Sequence, residues 1–286
     1  VPGNYSSTET VPANWKLTGI SCNDGNSSGD VGTATANFVL DPGETVACVF
    51  TNTQGGSITV EKQTLPNGSP QAFAFAGDVA GSLADGNSIT ILVDPGTYTS
   101  TETVPAGWDL TSIVCDDSDS TGNIGTATAT FNVSADEAVR CVFTNTERGT
   151  IIVENQTIPG GSLQSFSFTG DAAGNLIDDG QIIVDNLAPG NYSSTETVPE
   201  GWKLTDIVCN DADSTGDIGT ATANFVFDAG ETVTCVFTNT QRGSITVEKQ
   251  TLPKGSLQAF DFTGDVAGSL TDGNSITVLV DPGTYT

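Results

Sequence analysis

The sequence predicts an all-β protein built as a tandem array of seven-stranded β-sandwich domains. Three observations support this prediction. A turn followed by a tyrosine recurs four times, at Tyr5, Tyr98, Tyr192 and Tyr285. Short runs rich in β-branched and aromatic residues alternate with clusters of Gly, Pro, Asn and Asp, which is typical of strands and turns. No segment has the apolar period of an amphipathic helix.

The spacing of the tyrosines defines the repeat. They lie 93, 94 and 93 residues apart, which is too long for a solenoid unit and suits one small domain per period. We therefore predict two complete sandwiches, residues 56–146 and 149–240, between the C-terminal part of one (1–53) and the N-terminal part of another (243–286). Because the outer copies are partial, we expect the sequence to be a window on a longer polypeptide or a processed subunit.

The first complete copy justifies the predicted strand count. Alternation along a strand sends successive side chains to opposite faces, so that Ile58 and Val60 point inward together. Seven short strands of this kind are typical of an Ig-like sandwich of two packed sheets. The second complete copy repeats the pattern with one extra residue before Pro189. The seven predicted strands cover residues 57–63, 72–76, 88–93, 97–103, 108–115, 126–133 and 137–144.

Charge and composition exclude several functions. Eight basic and 35 acidic side chains, with no histidine, give a formal net charge of −27. Such a surface repels nucleic acid and phosphate groups. No apolar run approaches the roughly 20 residues of a membrane-spanning helix. No constellation of side chains supports turnover of an outside substrate, so we predict no enzyme activity, no cofactor and no metal.

The six cysteines occur as one pair in each of three copies, and the members of each pair are 26 positions apart. Without histidine or a C-x-x-C spacing they do not suit zinc. We therefore predict three disulfides and an extracellular or cell-surface location. In the chain-entropy estimate, each bridge stabilises its domain by about 3.5 kcal/mol. The pairs are Cys22 with Cys48, Cys115 with Cys141, and Cys209 with Cys235.

Three polar residues of the first complete copy fall on predicted inward faces. Lys62 lies on the first strand, Glu102 on a middle strand and Asn145 on the last. Burying a lone lysine or glutamate is costly, so such groups are expected to be paired, neutral or reacted. The alternative is that Lys62 and Asn145 reach water from strand ends and that Glu102 is half exposed.

The motifs around these residues form a recognisable set. They are Gly-Ser-Ile-Thr-Val-Glu-Lys ending at Lys62, Pro-Gly-Thr-Tyr before Thr-Glu-Thr at Glu102, and Phe-Thr-Asn-Thr around Asn145. Over the whole repeat they resemble the Cna-B and SpaA-like domains of bacterial surface proteins and pilins, which have a prealbumin-like (transthyretin-like) fold. The resemblance implies an isopeptide bond between the Lys62 amine and the Asn145 carboxamide, assisted by Glu102.

The sequence departs from this pattern in two ways. In the second complete copy Asn155 replaces the lysine, which leaves Glu196 and Asn239 without an amine partner. The disulfide is not part of the usual isopeptide pattern, so the cysteine bridge is an alternative main staple.

The two partial copies divide the same three positions between them. Lys249 lies in the last copy, whereas Glu9 and Asn52 lie in the first. In a mature subunit, chains could therefore join head to tail through an intersubunit isopeptide bond. The plainer alternative is a continuous polypeptide that extends beyond this window.

The sequence contains three further kinds of candidate site. The spacing of Asp211, Asp213 and Asp217 could hold calcium, but the distal glutamate of a full ligand set is missing, and a solvated turn is favoured. One tryptophan per copy could offer a sugar platform, although one per sandwich is more typical of a core. Asn155 is predicted inward and unsuited to glycosylation. Five other sequons are possible glycosylation sites: Asn4, Asn26, Asn67, Asn132 and Asn191.

Together these features predict a structural component of an extracellular fibre, stalk or pilus-like filament built from covalently stapled sandwich repeats. The expected partners are neighbouring repeats or other copies of the chain, with glycans as possible additions. Two alternatives remain at this point. One is an adhesin or carbohydrate-binding array, and the other is the spacer region of a secreted enzyme.

Overall fold

The computed structural model describes residues 1–286 and confirms the all-β prediction. The chain separates into two compact units, residues 1–147 and 148–286. The finer division at 1–53, 56–146, 149–240 and 243–286 stays a prediction, and we use these ranges below as names for the repeats. The one helical element is a 3₁₀ turn at Ile124–Thr126. The structure contains no helix that is long and apolar enough to cross a membrane.

The first unit contains fourteen strands. All seven strands predicted for 56–146 are present, and two three-residue strands, β8 and β12 below, accompany them. The strands of this unit are β1 (Gly3–Thr8), β2 (Trp15–Cys22), β3 (Ser28–Asp30), β4 (Thr35–Leu40), β5 (Cys48–Gln54), β6 (Gly56–Leu65), β7 (Phe73–Gly77), β8 (Gly81–Leu83), β9 (Ser88–Val93), β10 (Gly96–Thr103), β11 (Trp108–Cys115), β12 (Thr121–Asn123), β13 (Thr128–Val133) and β14 (Ala138–Glu147).

The second unit repeats this order. Its strands are β15 (Gly149–Ile158), β16 (Phe166–Gly170), β17 (Gly174–Leu176), β18 (Gly180–Leu187), β19 (Gly190–Thr197), β20 (Trp202–Cys209), β21 (Thr215–Asp217), β22 (Thr222–Phe227), β23 (Thr232–Gln241), β24 (Gly243–Glu248), β25 (Phe260–Phe262), β26 (Gly268–Leu270) and β27 (Ser275–Val280).

Each complete repeat has one four-stranded and one five-stranded sheet. In 56–146 the sheet orders are β11-β14-β6-β9 and β12-β13-β10-β7-β8, and 149–240 has the equivalent orders β20-β23-β15-β18 and β21-β22-β19-β16-β17. All pairings within the repeat are antiparallel except that of the first and last strands, β6 with β14, which are parallel neighbours. The two ends of a complete repeat therefore belong to adjacent strands of one sheet.

Aromatic side chains fill the space between the two sheets. Phe75 meets Phe143 edge to face, with ring centroids 5.1 Å apart, and Phe73 meets Trp108 in the same way at 5.3 Å. Contacts of this geometry contribute roughly 0.5–1.5 kcal/mol each beyond the area that they bury. The second complete repeat has matching pairs at 5.0 and 5.3 Å. The inward alternation predicted from the sequence thus produces a core in each complete repeat.

The partial repeats have the same sheets in reduced form. Residues 1–54 form β1-β4-β3 and β2-β5, whereas 243–286 form β24-β27 and β25-β26. Trp15 is 44% exposed, compared with 8% for Trp108 and Trp202. The difference arises because residues 1–54 contain no counterpart of the strand that carries Phe73. A partial repeat therefore leaves part of its inner face uncovered.

Candidate functional site

The structure buries the three polar residues singled out in the first complete repeat. Lys62 lies on β6, Glu102 on β10 and Asn145 on β14, and they are 0%, 3% and 0% exposed. Lys62 pairs in register with Phe143, two positions before Asn145, so that the inward side chains of the two parallel strands meet. The alternative with strand-end residues reaching water does not hold for these side chains.

The lysine amine lies within hydrogen-bond distance of the asparagine. Lys62 Nζ donates to Asn145 Oδ1 over 2.9 Å, and it also donates to the backbone carbonyls of Gln63 (2.6 Å) and Phe143 (3.2 Å). Glu102 Oε1 is 3.7 Å from the same nitrogen, and the ring centroid of Phe73 is 4.1 Å from it. The amine is therefore held between one carboxamide, one carboxyl group and an aromatic wall.

Burial shifts both titratable groups towards their neutral forms. Desolvation lowers the pKa of Lys62 to about 8, although the nearby Glu102 opposes the shift. Desolvation likewise raises the pKa of Glu102 above its ordinary value, again opposed by Lys62. A neutral amine is a nucleophile and a protonated carboxyl group is a proton donor. Both shifts are therefore in the direction of the protonation states that amide chemistry requires.

Several buried atoms of the site have no hydrogen-bond partner. They are Asn145 Nδ2 and both carboxyl oxygens of Glu102. Leaving a buried polar atom unpaired costs roughly 1–3 kcal/mol. Native proteins retain few such atoms, and chemical function is one recognised reason for retaining them. Here the unpaired amide nitrogen is the group that would depart if the lysine attacked the carboxamide.

A small residue missed at the sequence level holds the glutamate in place. The backbone N–H of Glu102 donates to the carbonyl of Ala127 over 2.8 Å, and Ala127 has a left-handed φ of 51°. Glu9 and Glu196 make the same bond to Ala34 and Ala221, which have φ values of 51° and 52°. The sequence signal was the recurring Gly-Thr-Ala-Thr-Ala motif after each acidic loop. The glutamate position is thus anchored in all three copies.

The second complete repeat has a different buried cluster at the same place. Asn239 Nδ2 donates to Asn155 Oδ1 over 2.9 Å and to Glu196 Oε1 over 2.6 Å. The two asparagines are 0% exposed and Glu196 is 4% exposed. Desolvation raises the pKa of Glu196 to about 7, with the Asn239 hydrogen bond opposing the shift. This repeat keeps a buried carboxyl group beside a carboxamide and lacks the amine.

The partial repeats carry the remaining members of the set. Asn52 Nδ2 donates to Glu9 Oε1 over 2.6 Å in residues 1–54. Lys249 Nζ lies 4.1 Å from the ring centroid of Phe260, as Lys62 does from Phe73. Asn52 and Glu9 thus have the contact that Asn239 and Glu196 make in repeat 149–240, and Lys249 has the aromatic contact of Lys62.

All three predicted disulfides are present, and no cysteine is free. In each case the two cysteines face each other across adjacent antiparallel strands, such as Cys115 on β11 and Cys141 on β14. The bridge links the last strand to its neighbour on the side away from the first strand. The lysine site and the disulfide therefore attach to opposite edges of the same strand.

The acidic loops are tied to their own repeats. Ser120 Oγ donates to Asp117 Oδ2 over 2.7 Å and accepts the backbone N–H of Asn132. Asp211 makes the same contact with Ser214, while Asp217 Oδ1 accepts the backbone N–H of Gly219. Carboxylates come together at Asp117, Asp119 and Glu137 instead. The local hydrogen bonds of Asp117 and Asp211 are those of ordinary turns and explain the acidic residues of these loops without a bound ion.

The sequon asparagines differ in accessibility. Asn132 is half-buried, and its amide donates to the Asp119 carbonyl and accepts from Thr97 Oγ1. Asn155 lies in the core, as the alternation predicts. The other four, Asn4, Asn26, Asn67 and Asn191, are exposed. These four and Asn132 stay predictions as glycosylation sites.

The sheet orders, the buried aromatic core and the repeated lysine and glutamate positions define a class of protein, the tandem prealbumin-like β-sandwich. A family model described as a prealbumin-like fold domain (SpaA_4) matches residues 1–54, 58–147 and 151–241. The chain belongs to this family. No curated protein matches the chain in sequence.

Several solved structures are similar to the chain. The Bacillus anthracis TIE protein is 13% identical with a TM-score of 0.32, and the match covers 97% of this chain and 61% of that one. The major pilin T-13 of Streptococcus pyogenes is 13% identical with a TM-score of 0.29, over 65% of this chain and 97% of the pilin. The shaft pilin spaA of Lactobacillus rhamnosus GG is 12% identical with a TM-score of 0.24, over 66% and 99%.

Proposed function

We propose that the chain is a load-bearing segment of an extracellular fibre, stalk or pilus-like filament, in which repeat 56–146 is stapled by an isopeptide bond between Lys62 and Asn145. The observation that carries the proposal is the buried contact between Lys62 Nζ and Asn145 Oδ1 beside Glu102. Three disulfides and an acidic surface support an extracellular place, because disulfides persist in oxidising compartments. On this proposal the chain is not an enzyme for any outside substrate.

The chemical step balances within the site. The neutral amine of Lys62 attacks Cγ of Asn145, and a new C–N bond forms while the bond from Cγ to Nδ2 breaks. Glu102 protonates the departing nitrogen and receives a proton from the attacking one, so that ammonia leaves and Glu102 ends unchanged. Folding supplies the effective concentration, because both partners sit on neighbouring strands in a dry core. One event per chain is sufficient, so no turnover is required.

Mass spectrometry of the folded chain tests the proposal. The expected result is the loss of one ammonia, carried by a branched peptide that joins the Lys62 segment to the Asn145 segment. Glu102→Gln is the matched control, since it keeps the side-chain shape and removes the proton shuttle. It should fold and keep the full mass. A wild-type chain that keeps its full mass after prolonged incubation would contradict the proposal.

The partial repeats support a second proposal for the same chemistry. We infer that Lys249 is the amine for a Glu9–Asn52 pair of another copy, because the first partial repeat holds its carboxyl and carboxamide groups together and the last holds Lys249 against a phenylalanine ring, as Lys62 is held. Purified chain at high concentration should then form covalent head-to-tail oligomers, from the dimer upwards, that have lost one additional ammonia per junction. Lys249→Arg should remove the dimer and leave the first ammonia loss intact. A wild-type chain that stays a folded monomer would rule out this route.

A further inference from the structure

The two complete repeats differ in how their ends are joined. In 56–146 the proposed bond links β6 to β14. In 149–240 the equivalent strands, β15 and β23, meet at Asn155 and Asn239, and two amides cannot condense to form this cross-link without an amine. The strand pair is held by hydrogen bonds and packing alone. The second repeat therefore has no covalent cross-link between its first strand, β15, and its last strand, β23.

The path of tension through a repeat follows from the strand order. β15 and β23 are parallel neighbours over nine residue pairs, from Thr150 with Thr232 to Ile158 with Thr240. Tension enters at the start of β15 and leaves at the end of β23, which are opposite ends of the pair. It therefore slides the two strands past each other and loads the whole ladder at once. Without a cross-link, the repeat opens when this ladder fails.

The disulfide sets how far an opened repeat can extend. Cys209 and Cys235 join β20 to β23, so that the 26 positions between them stay closed. About 65 residues are then free to extend, and at roughly 3.5 Å each they span about 230 Å. The folded strand pair already spans roughly 33 Å. An oxidised repeat should lengthen by about 200 Å, and reduction should add about 90 Å more.

We propose that repeat 149–240 is the force-yielding element of the array, which unfolds and lengthens under tension while the cross-linked repeat 56–146 transmits the load. This inference rests on the proposed function, because it requires the Lys62–Asn145 bond to hold the first repeat closed. Repeat 149–240 has Asn155 at the position where repeat 56–146 has Lys62. On this proposal, that single difference makes the first of these repeats extensible and the second inextensible. The disulfide acts as the stop that limits the extension.

Single-molecule pulling on the full chain, attached at both termini, tests the proposal. The wild type should show one lengthening step of about 200 Å under oxidising conditions, and a reductant should lengthen that step by about 90 Å. Asn155→Lys, once its extra ammonia loss is verified, should lose the step. Glu102→Gln, which leaves 56–146 without its bond, should show two steps. The partial repeats contribute equally to every variant.

The outcomes separate this inference from the proposed function. Two steps in a wild-type chain of full mass mean that the Lys62–Asn145 bond is absent, and the proposed function fails. A wild-type chain that has lost one ammonia but shows no such step overturns the force-yielding role. A step whose length does not change on reduction also overturns it, because the opened segment would then lie outside 149–240. If Asn155→Lys fails to fold, the reductant comparison still decides the question for a wild-type chain that has lost one ammonia at Lys62 and Asn145, because repeat 56–146, which has the same 26-residue bridge, is then held closed.

Discussion

Asn155→Lys should convert the second complete repeat into a self-stapling one. The substituted side chain would enter a site that already contains Glu196 and Asn239, hydrogen-bonded to each other over 2.6 Å. Phe166 occupies the place that Phe73 has beside Lys62, and it is fully buried. The only chemical element that the site lacks is therefore the amine.

The size of the effect follows from the loop that the new bond closes. Positions 155 and 239 are 84 residues apart, and the Cys209–Cys235 bridge already shortens that loop by 26. Closing the loop stabilises the repeat by about 4.2 kcal/mol with this correction and by about 4.6 kcal/mol without it in the chain-entropy estimate. For a domain of this size, about 4 kcal/mol corresponds to a rise in Tm of about 15–30 °C.

Calorimetry and intact mass measure the two consequences together. The variant should lose one ammonia more than the wild type, and the transition of repeat 149–240 should move to higher temperature. The double variant with Glu196→Gln is the matched control and should show neither change. If Asn155→Lys folds cooperatively yet keeps its nitrogen after long incubation, then placing an amine beside a buried carboxyl and carboxamide is not sufficient. The reasoning for Lys62 would then fail as well.

Three further outcomes are expected. The pKa of Glu196 is raised in the folded repeat, so protonation of this carboxyl group stabilises the fold. The free energy of unfolding, measured by urea titration at a series of pH values, should therefore fall by about 3 kcal/mol as pH rises from about 4.5 to above 7. Glu196→Gln should remove this pH dependence. Phe73→Ala should destabilise repeat 56–146 by about 3–5 kcal/mol. It should also admit water to the Lys62 amine and so slow the loss of ammonia, followed by mass spectrometry over time. An unchanged rate would mean that the Phe73 ring plays no part in the reaction. Reducing the disulfides should lower the unfolding free energy of repeat 149–240 by about 3.5 kcal/mol, measured by denaturant titration, and a much smaller change would show that the chain-entropy estimate does not apply.

The sequence predicted those features that depend on short-range pattern. The alternation of side chains is local, so the inward placement of Lys62, Glu102 and Asn145 could be deduced before any sheet was known. The cysteine pairs were equally accessible, because their spacing recurs and no other ligand competes for them. The resemblance to a known family then supplied the proposed roles of these residues, which alternation alone could not provide.

Other features depend on contacts between distant residues and could not be deduced in this way. The parallel pairing of β6 with β14 is a property of the sheet order, and no local pattern specifies it. The left-handed backbone of Ala127 was missed because alanine does not favour that conformation, unlike glycine. The three-residue strands β8 and β12 are too short for alternation to detect.

The complete pairing of the cysteines has a consequence for chemical durability. Every cysteine sulfur is in a disulfide, and the chain contains no methionine. The side chains that peroxides attack most readily, thiolates and thioethers, are therefore missing from the surface and the core alike. Mild oxidants that convert other proteins to sulfenic acids and sulfoxides should leave this chain unmodified at sulfur.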